Sequence, residues 1–228
     1  MKQQWRVPFV CIAAVLFLVI HRYADIGSLV EMLLPSHSLF NPARPLYQRL
    51  ASGCSTFLVL GLLPAMLGCI LWDQKPSQWG LSLGHDPLKN TGLAVGCLAV
   101  LIPIIAYASS FPAVTAGRPE NFIAAMYPEA FLLYEIGILV FLMGWEFFFR
   151  GFLLFGLANS IGNAAIYVLM IPAVALKLGR SPLETLAEVP TAILLGHLAL
   201  KTGSIWYGLF LHWGFLLTLD LIVIYRPF

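Results

Sequence analysis

Charge is what this sequence has least of. Only 11% of its 228 residues are Asp, Glu, Lys or Arg, whereas a soluble domain carries about a quarter. With 60% hydrophobic residues and a mean hydropathy of +0.86, the soluble globular class is excluded. The net charge of +2 comes without any basic run, so nothing addresses a nucleic acid. Cysteine is sparse as well. Cys11, Cys54, Cys69 and Cys97 stand in apolar segments without CxxC spacing or neighbouring histidines, which excludes a disulfide framework and a cysteine metal site. They are expected to be buried thiols. HExxH is missing, so His197 and His212 on the last two spans do not compose a zinc motif, and no metal is expected. No small-x-small cleavage site follows the apolar run Val7–Ile20, which ends at His21-Arg22. That run reads as a retained first membrane helix rather than a signal peptide.

What is present is a series of apolar runs near the roughly 20 residues needed to cross a bilayer. They are Trp5–Ile20, Ala51–Trp72, Gly92–Val114 with a kink expected at Pro103, and a fourth from about Ala130. A short span, Ala164–Leu176, is expected to break at Pro172, followed by the polar insert "KLGRSPLET", then Val189–Leu200 and Ser204–Tyr225. Between the first two lies a polar loop, Asp25 to Arg49, with a short amphipathic piece "GSLVEMLL". Backbone groups in hydrocarbon need internal partners, so the spans should be helices. The reading is an all-α polytopic membrane bundle of about seven or eight helical segments, without repeats or a soluble domain. Lys and Arg are scattered over nearly every loop and choose no orientation.

Against this background a few charges stand out. Glu135, Glu146, Arg150, His197, His212 and Asp220 all fall inside apolar spans, where each costs about 2.5–3.5 kcal/mol and usually faces protein or a wet cavity. Glu146 and Arg150 are four apart on one helix face. Glu135 precedes Glu146 by eleven residues, three turns plus roughly 20°, so the three form a stripe. His212 and Asp220, eight apart, form another. Facing stripes would neutralise each other. The residues alone leave two readings open: ion pairs that lock a bundle, or a carboxylate tuned as a general base with a histidine from a neighbouring helix. Glu184 and Glu188 read as a solvated turn and helix start.

These residues sit in a recognisable order. "WEFFFRGFLLFG", "MIPAVALKLGRSPLET", "GHLALKTGSIWYGLFLHW" and "TLDL" resemble the CAAX-protease and bacteriocin-processing (CPBP) family of intramembrane glutamic peptidases, from Tyr127 onward. The resemblance divides the chain into N-terminal transmembrane helices, 1–126, and a CPBP-like core, 127–228, within one integrated membrane domain. It implies an endopeptidase that hydrolyses a membrane-associated or exported peptide with Glu-activated water. No metal or other cofactor is implied, and the partners are a peptide or protein substrate and the lipid bilayer. The implied location is the plasma membrane of a prokaryote. Carried over residue by residue, Glu146 and Arg150 take the second Glu and the Arg of the EExxxR motif, and His212 takes the third-motif histidine. Glu146 would be base, Arg150 its orienting partner, His212 a donor to the oxyanion, and Lys177 an auxiliary charge.

Three positions depart from the family pattern. Trp145 stands where the first Glu would be, Lys177 in the second-motif histidine slot, and Leu216 in the asparagine slot, with Asp220 one turn further on. A homologue that binds a peptide or lipid tail without cutting it is therefore the alternative. A small transporter is another, on the strength of Pro103, Pro172 and the buried charges.

Overall fold

A backbone within hydrocarbon must satisfy its own N–H and C=O groups, and the apolar runs of this chain do so as helices. The structure, a computed structural model, describes residues 5–24, 32, 44–72, 75–115 and 122–225. Among the described residues, six helices are long and apolar enough to cross a membrane: α1 Arg6–Tyr23, α2 Arg44–Leu71, α3 Pro87–Ala108, α4 Pro128–Ile161, α6 Pro182–Thr202 and α7 Trp206–Tyr225. A shorter apolar helix, α5 Ala164–Ala175, lies between α4 and α6. No strand occurs among the described residues. The piece "GSLVEMLL" lies almost wholly outside them.

Helix α4 is the axis of the bundle. Of its most apolar 18-residue stretch 72% is buried, against 11% for α3. Small residues let α2 lie directly on it. A Cβ at Gly53 would stand 2.6 Å from the Gly137 carbonyl oxygen, and one at Gly144 would stand 2.7 Å from both Phe57 Cα and Thr56 O. Along the contact both helices widen into π-helical turns, Phe57–Leu62 in α2 and Phe147–Phe155 in α4. Such turns are rare and often accompany functional sites. In α4 this segment buries Phe147 to Leu154 without interruption, so every side chain in the run must meet protein.

Between α2 and α3 the chain does not simply cross over. A 3₁₀ turn, Pro76–Trp79, inserts Trp79 into the core, where its ring lies at 5.8 Å from Phe152 in a stacked arrangement. The following residues are fastened to the α6–α7 turn. Ile205 N–H donates to Gly80 O at 2.9 Å, Trp206 Nε1 to Leu81 O at 3.2 Å, and Tyr207 Oη to Leu83 O at 2.8 Å. Gly80 takes a φ of +76°, a conformation that a side chain would strain.

The structure corrects several sequence expectations. Helix α2 begins at Arg44, not Ala51; Leu46 is buried and Arg49 lies over the Phe141 ring at 5.3 Å, so the polar start packs on α4. Helix α5 passes through Pro172 to Ala175 instead of breaking there. Proline is tolerated in membrane helices where neighbours satisfy the freed backbone groups. The insert "KLGRSPLET" is half helix: α6 starts at Pro182, with Ser181 Oγ accepting from Glu184 N at 3.2 Å. The four cysteines are free but half-buried rather than buried.

Candidate functional site

Three helix positions bring the ionisable groups together. Glu146 is the last α-helical residue of α4 before its π segment, and Arg150 lies one turn on, inside that segment. Arg150 Nη1 donates to Glu146 Oε1 at 3.3 Å. From α7, the Nδ1 of His212 reaches the same oxygen at 2.7 Å. Glu146 and Arg150 are fully buried, and the His212 side chain keeps 14% exposure. Of the charges read from the sequence, Glu146, Arg150 and His212 meet on one carboxylate oxygen in the interior, and Lys177, Glu135, His197 and Asp220 do not join them.

The electrostatics of this cluster follow from its partners. A carboxylate held by a guanidinium is an acceptor, so the histidine Nδ1 bears the proton and donates. That leaves Nε2 as the imidazole's other hydrogen-bonding atom. Arg150 also lies over the Phe149 ring, 5.9 Å from its centroid, where the ring face favours a cation. The second oxygen, Glu146 Oε2, is buried without a hydrogen-bond partner. It faces α7 at Gly208, where an added Cβ would stand 3.5 Å away.

Residues 127–218 match the family model described as type II CAAX prenyl endopeptidase, Rce1-like. This segment is similar to the CPBP family. The match covers 92 of the 228 residues, begins at the Tyr127 boundary read from the sequence, and contains Glu146, Arg150, Lys177 and His212. Comparison with curated proteins and with solved structures gives no match. The long apolar helices and this match support an integral membrane protein, and residues 127–218 are similar to intramembrane proteases of the CAAX type.

The positions that depart from the CPBP pattern have their own surroundings. Trp145 is buried in an aromatic ladder, 5.7 Å from Phe141 and 4.7 Å from Phe149 by ring centroids. Lys177 lies over the Trp145 ring, its Nζ 5.6 Å from the centroid and 4.0 Å from Glu188 Oε2. Leu216 packs on the apolar cluster of Tyr134, Ile138 and Leu142. Asp220 is fully buried eight residues beyond His212, about 12 Å along the helix. Glu135 accepts from Trp213 Nε1 at 2.9 Å, so the two glutamates of the α4 stripe are met by adjacent residues of α7. His197 is exposed, its Nδ1 2.9 Å from Ile193 O on its own helix.

Glu188 is the residue that sequence reasoning placed wrongly. Glu184 is indeed a solvated helix start, paired with Arg180 at 3.7 Å, but Glu188, one turn on, is only 5% exposed. The signal was there in the spacing. Glu188, Ala192, Leu195 and Ala199 are all buried, and their intervals of four, three and four trace one inward face.

Proposed function

We propose that the chain is an intramembrane endopeptidase in which Glu146 and His212 act as a unit to activate water. Buried Glu146 holds the imidazole by Nδ1, and His212 Nε2 takes a proton from water as the oxygen attacks a substrate carbonyl carbon. The C–N bond then breaks, and the proton passes from Nε2 to the departing amine. Arg150 holds the carboxylate in place. The family resemblance alone casts Glu146 as the direct base; exposure favours His212, because of the three groups only this one has surface to meet a substrate. The observation carrying the reading is the 2.7 Å contact between helices 66 residues apart in sequence. General acid–base catalysis of this type contributes about 10²–10⁴-fold.

The substrate class we assign is a membrane-anchored peptide such as a prenylated CAAX tail, in keeping with the family description. The bacteriocin-processing side of the resemblance supports the plasma membrane of a prokaryote as the location. A reading in which a peptide is held without being cut is favoured by Trp145, which offers no proton acceptor beside Glu146. One experiment separates the two. Purified protein in lipid nanodiscs is incubated with a farnesylated CAAX peptide in H₂¹⁸O, and products are read by mass spectrometry. A fragment with ¹⁸O in its new carboxylate, absent with His212→Ala, supports the peptidase. Peptide retained intact by a monodisperse wild-type protein removes it.

A further inference from the structure

Trp213, the neighbour of His212, makes a bond that the proton transfer does not use. Its indole Nε1 donates to Glu135 Oε2 at 2.9 Å, and Glu135 is only 5% exposed. His212 Nδ1 meanwhile reaches Glu146 Oε1 at 2.7 Å. Two consecutive residues of α7 are thus tied to two glutamates of α4. Eleven residues separate those glutamates, all within the α-helical part of α4, which is about 16 Å along its axis. The two donors start about 1.5 Å apart along α7. The indole and the imidazole therefore diverge, one toward each end of this stretch of α4.

Diverging ties restrain α7 in a way that neither does alone. Leu209 is buried in the cluster of Tyr134, Ile138 and Leu142, and Trp213 and Leu216 pack against it. Intervals of four and three put 209, 213 and 216 on one face of α7. At about 100° per residue, His212 and Trp213 fall on opposite edges of that face. Turning α7 about its axis brings one edge toward α4 and carries the other away. Sliding α7 along α4 lengthens one hydrogen bond or the other. Apolar contact is non-directional, so Leu209 and Leu216 resist these motions less sharply than the two hydrogen bonds do.

Placement of this kind matters to a base, since a misplacement of about 1 Å can cost 10²-fold in rate. We propose that Trp213, held by Glu135, is a positioning residue that fixes the rotation of α7 and its position along α4, and so keeps His212 Nδ1 on Glu146. It touches no reacting atom in this role. The proposal rests on the peptidase reading for its effect on turnover, but the placement of the imidazole is measurable without substrate.

The test records ¹⁵N NMR of histidine-labelled full-length protein in nanodiscs, at alkaline pH where the imidazole is neutral. The His212 signals are identified by their loss in His212→Ala. Trp213→Phe keeps an aromatic ring and removes the donor; Glu135→Leu removes the acceptor, and Glu135→Gln keeps one. If Trp213→Phe does not give monodisperse protein, benzothienylalanine in place of Trp213 preserves the ring shape with sulfur instead of N–H. Wild type and Glu135→Gln are expected to show the Nδ1–H tautomer. Trp213→Phe and Glu135→Leu should gain the Nε2–H tautomer, and the double variant should match either single one, as coupled residues do. On a farnesylated CAAX peptide, kcat in those variants should fall about 10–10²-fold while KM stays within about twofold. A wild-type tautomer and kcat in Trp213→Phe, whatever its thermal midpoint, overturns the proposal and leaves Trp213 to packing alone. If the tautomers shift as expected but the wild-type protein never cuts the peptide, the positioning stands and the peptidase falls.

Discussion

His212 and Glu146, 66 residues apart in sequence, meet at 2.7 Å on an oxygen that Arg150 also holds. The imidazole is thereby oriented by a group with no exposed surface of its own. Removing the histidine should therefore abolish turnover without unfolding the bundle. His212→Ala is expected to lower kcat by about 10²–10⁴-fold and, through loss of its hydrogen bond to the buried carboxylate, to cost about 1.5–3 kcal/mol of stability, less than loss of Arg150 costs. A variant that still releases the ¹⁸O-labelled fragment at the wild-type rate would exclude His212 as base.

Arg150 makes a different prediction, since it is a fully buried cation whose partner is a fully buried anion. Removing one member of such a pair leaves the other uncompensated, at about 3–5 kcal/mol. Arg150→Met should accordingly accumulate poorly and unfold early in a denaturant titration. The double variant Glu146→Gln, Arg150→Met removes both charges and is expected to regain much of that loss while remaining inactive. If the double variant is no more stable than Arg150→Met, an uncompensated Glu146 charge is not the cause of that variant's instability.

The legible part of this molecule was whatever depends on spacing within one helix. Glu146 and Arg150 are four apart, and no tertiary information is needed to put them together. That His212 faces them came from motif order, because nothing in local periodicity pairs α4 with α7. The π-helical turns of Phe57–Leu62 and Phe147–Phe155 left no mark in the sequence, since a widened turn has no composition of its own. Pro172 was read as a break by rules for water, yet α5 continues through it. Glu188 was read by the polarity of its neighbours Glu184 and Arg180, when the buried positions at 192, 195 and 199 placed it inside.

Glycine substitutions test the close packing of α2 on α4. A Cβ at Gly144 would fall 2.7 Å from Phe57 Cα, a backbone atom that cannot swing aside. Gly144→Ala should cost about 1–3 kcal/mol, the range for overpacking. At Gly92 on α3 an added Cβ meets nothing within 4 Å, and there alanine should be neutral or gain up to about 1 kcal/mol in helix propensity. Unfolding of the two variants in mixed micelles gives the comparison, and equal stability would contradict the tight α2–α4 crossing.

The last prediction decides which atom of the dyad accepts the proton. Glu146 Oε2 is buried, lacks a hydrogen-bond partner and faces Gly208. If water were activated there, a methyl group at 208 would stand in its place. The methyl would lie 3.5 Å from Oε2 and 3.9 Å from Leu195 Cδ2, ordinary contacts that the fold can accept. With His212 Nε2 as acceptor, Gly208→Ala should keep kcat within a few-fold and leave the thermal midpoint unchanged. A 10²-fold fall in kcat at unchanged stability would instead make Glu146 the direct base through Oε2, with His212 left as a donor. The substitution thus separates two mechanisms that share every residue and differ only in the atom that receives the proton.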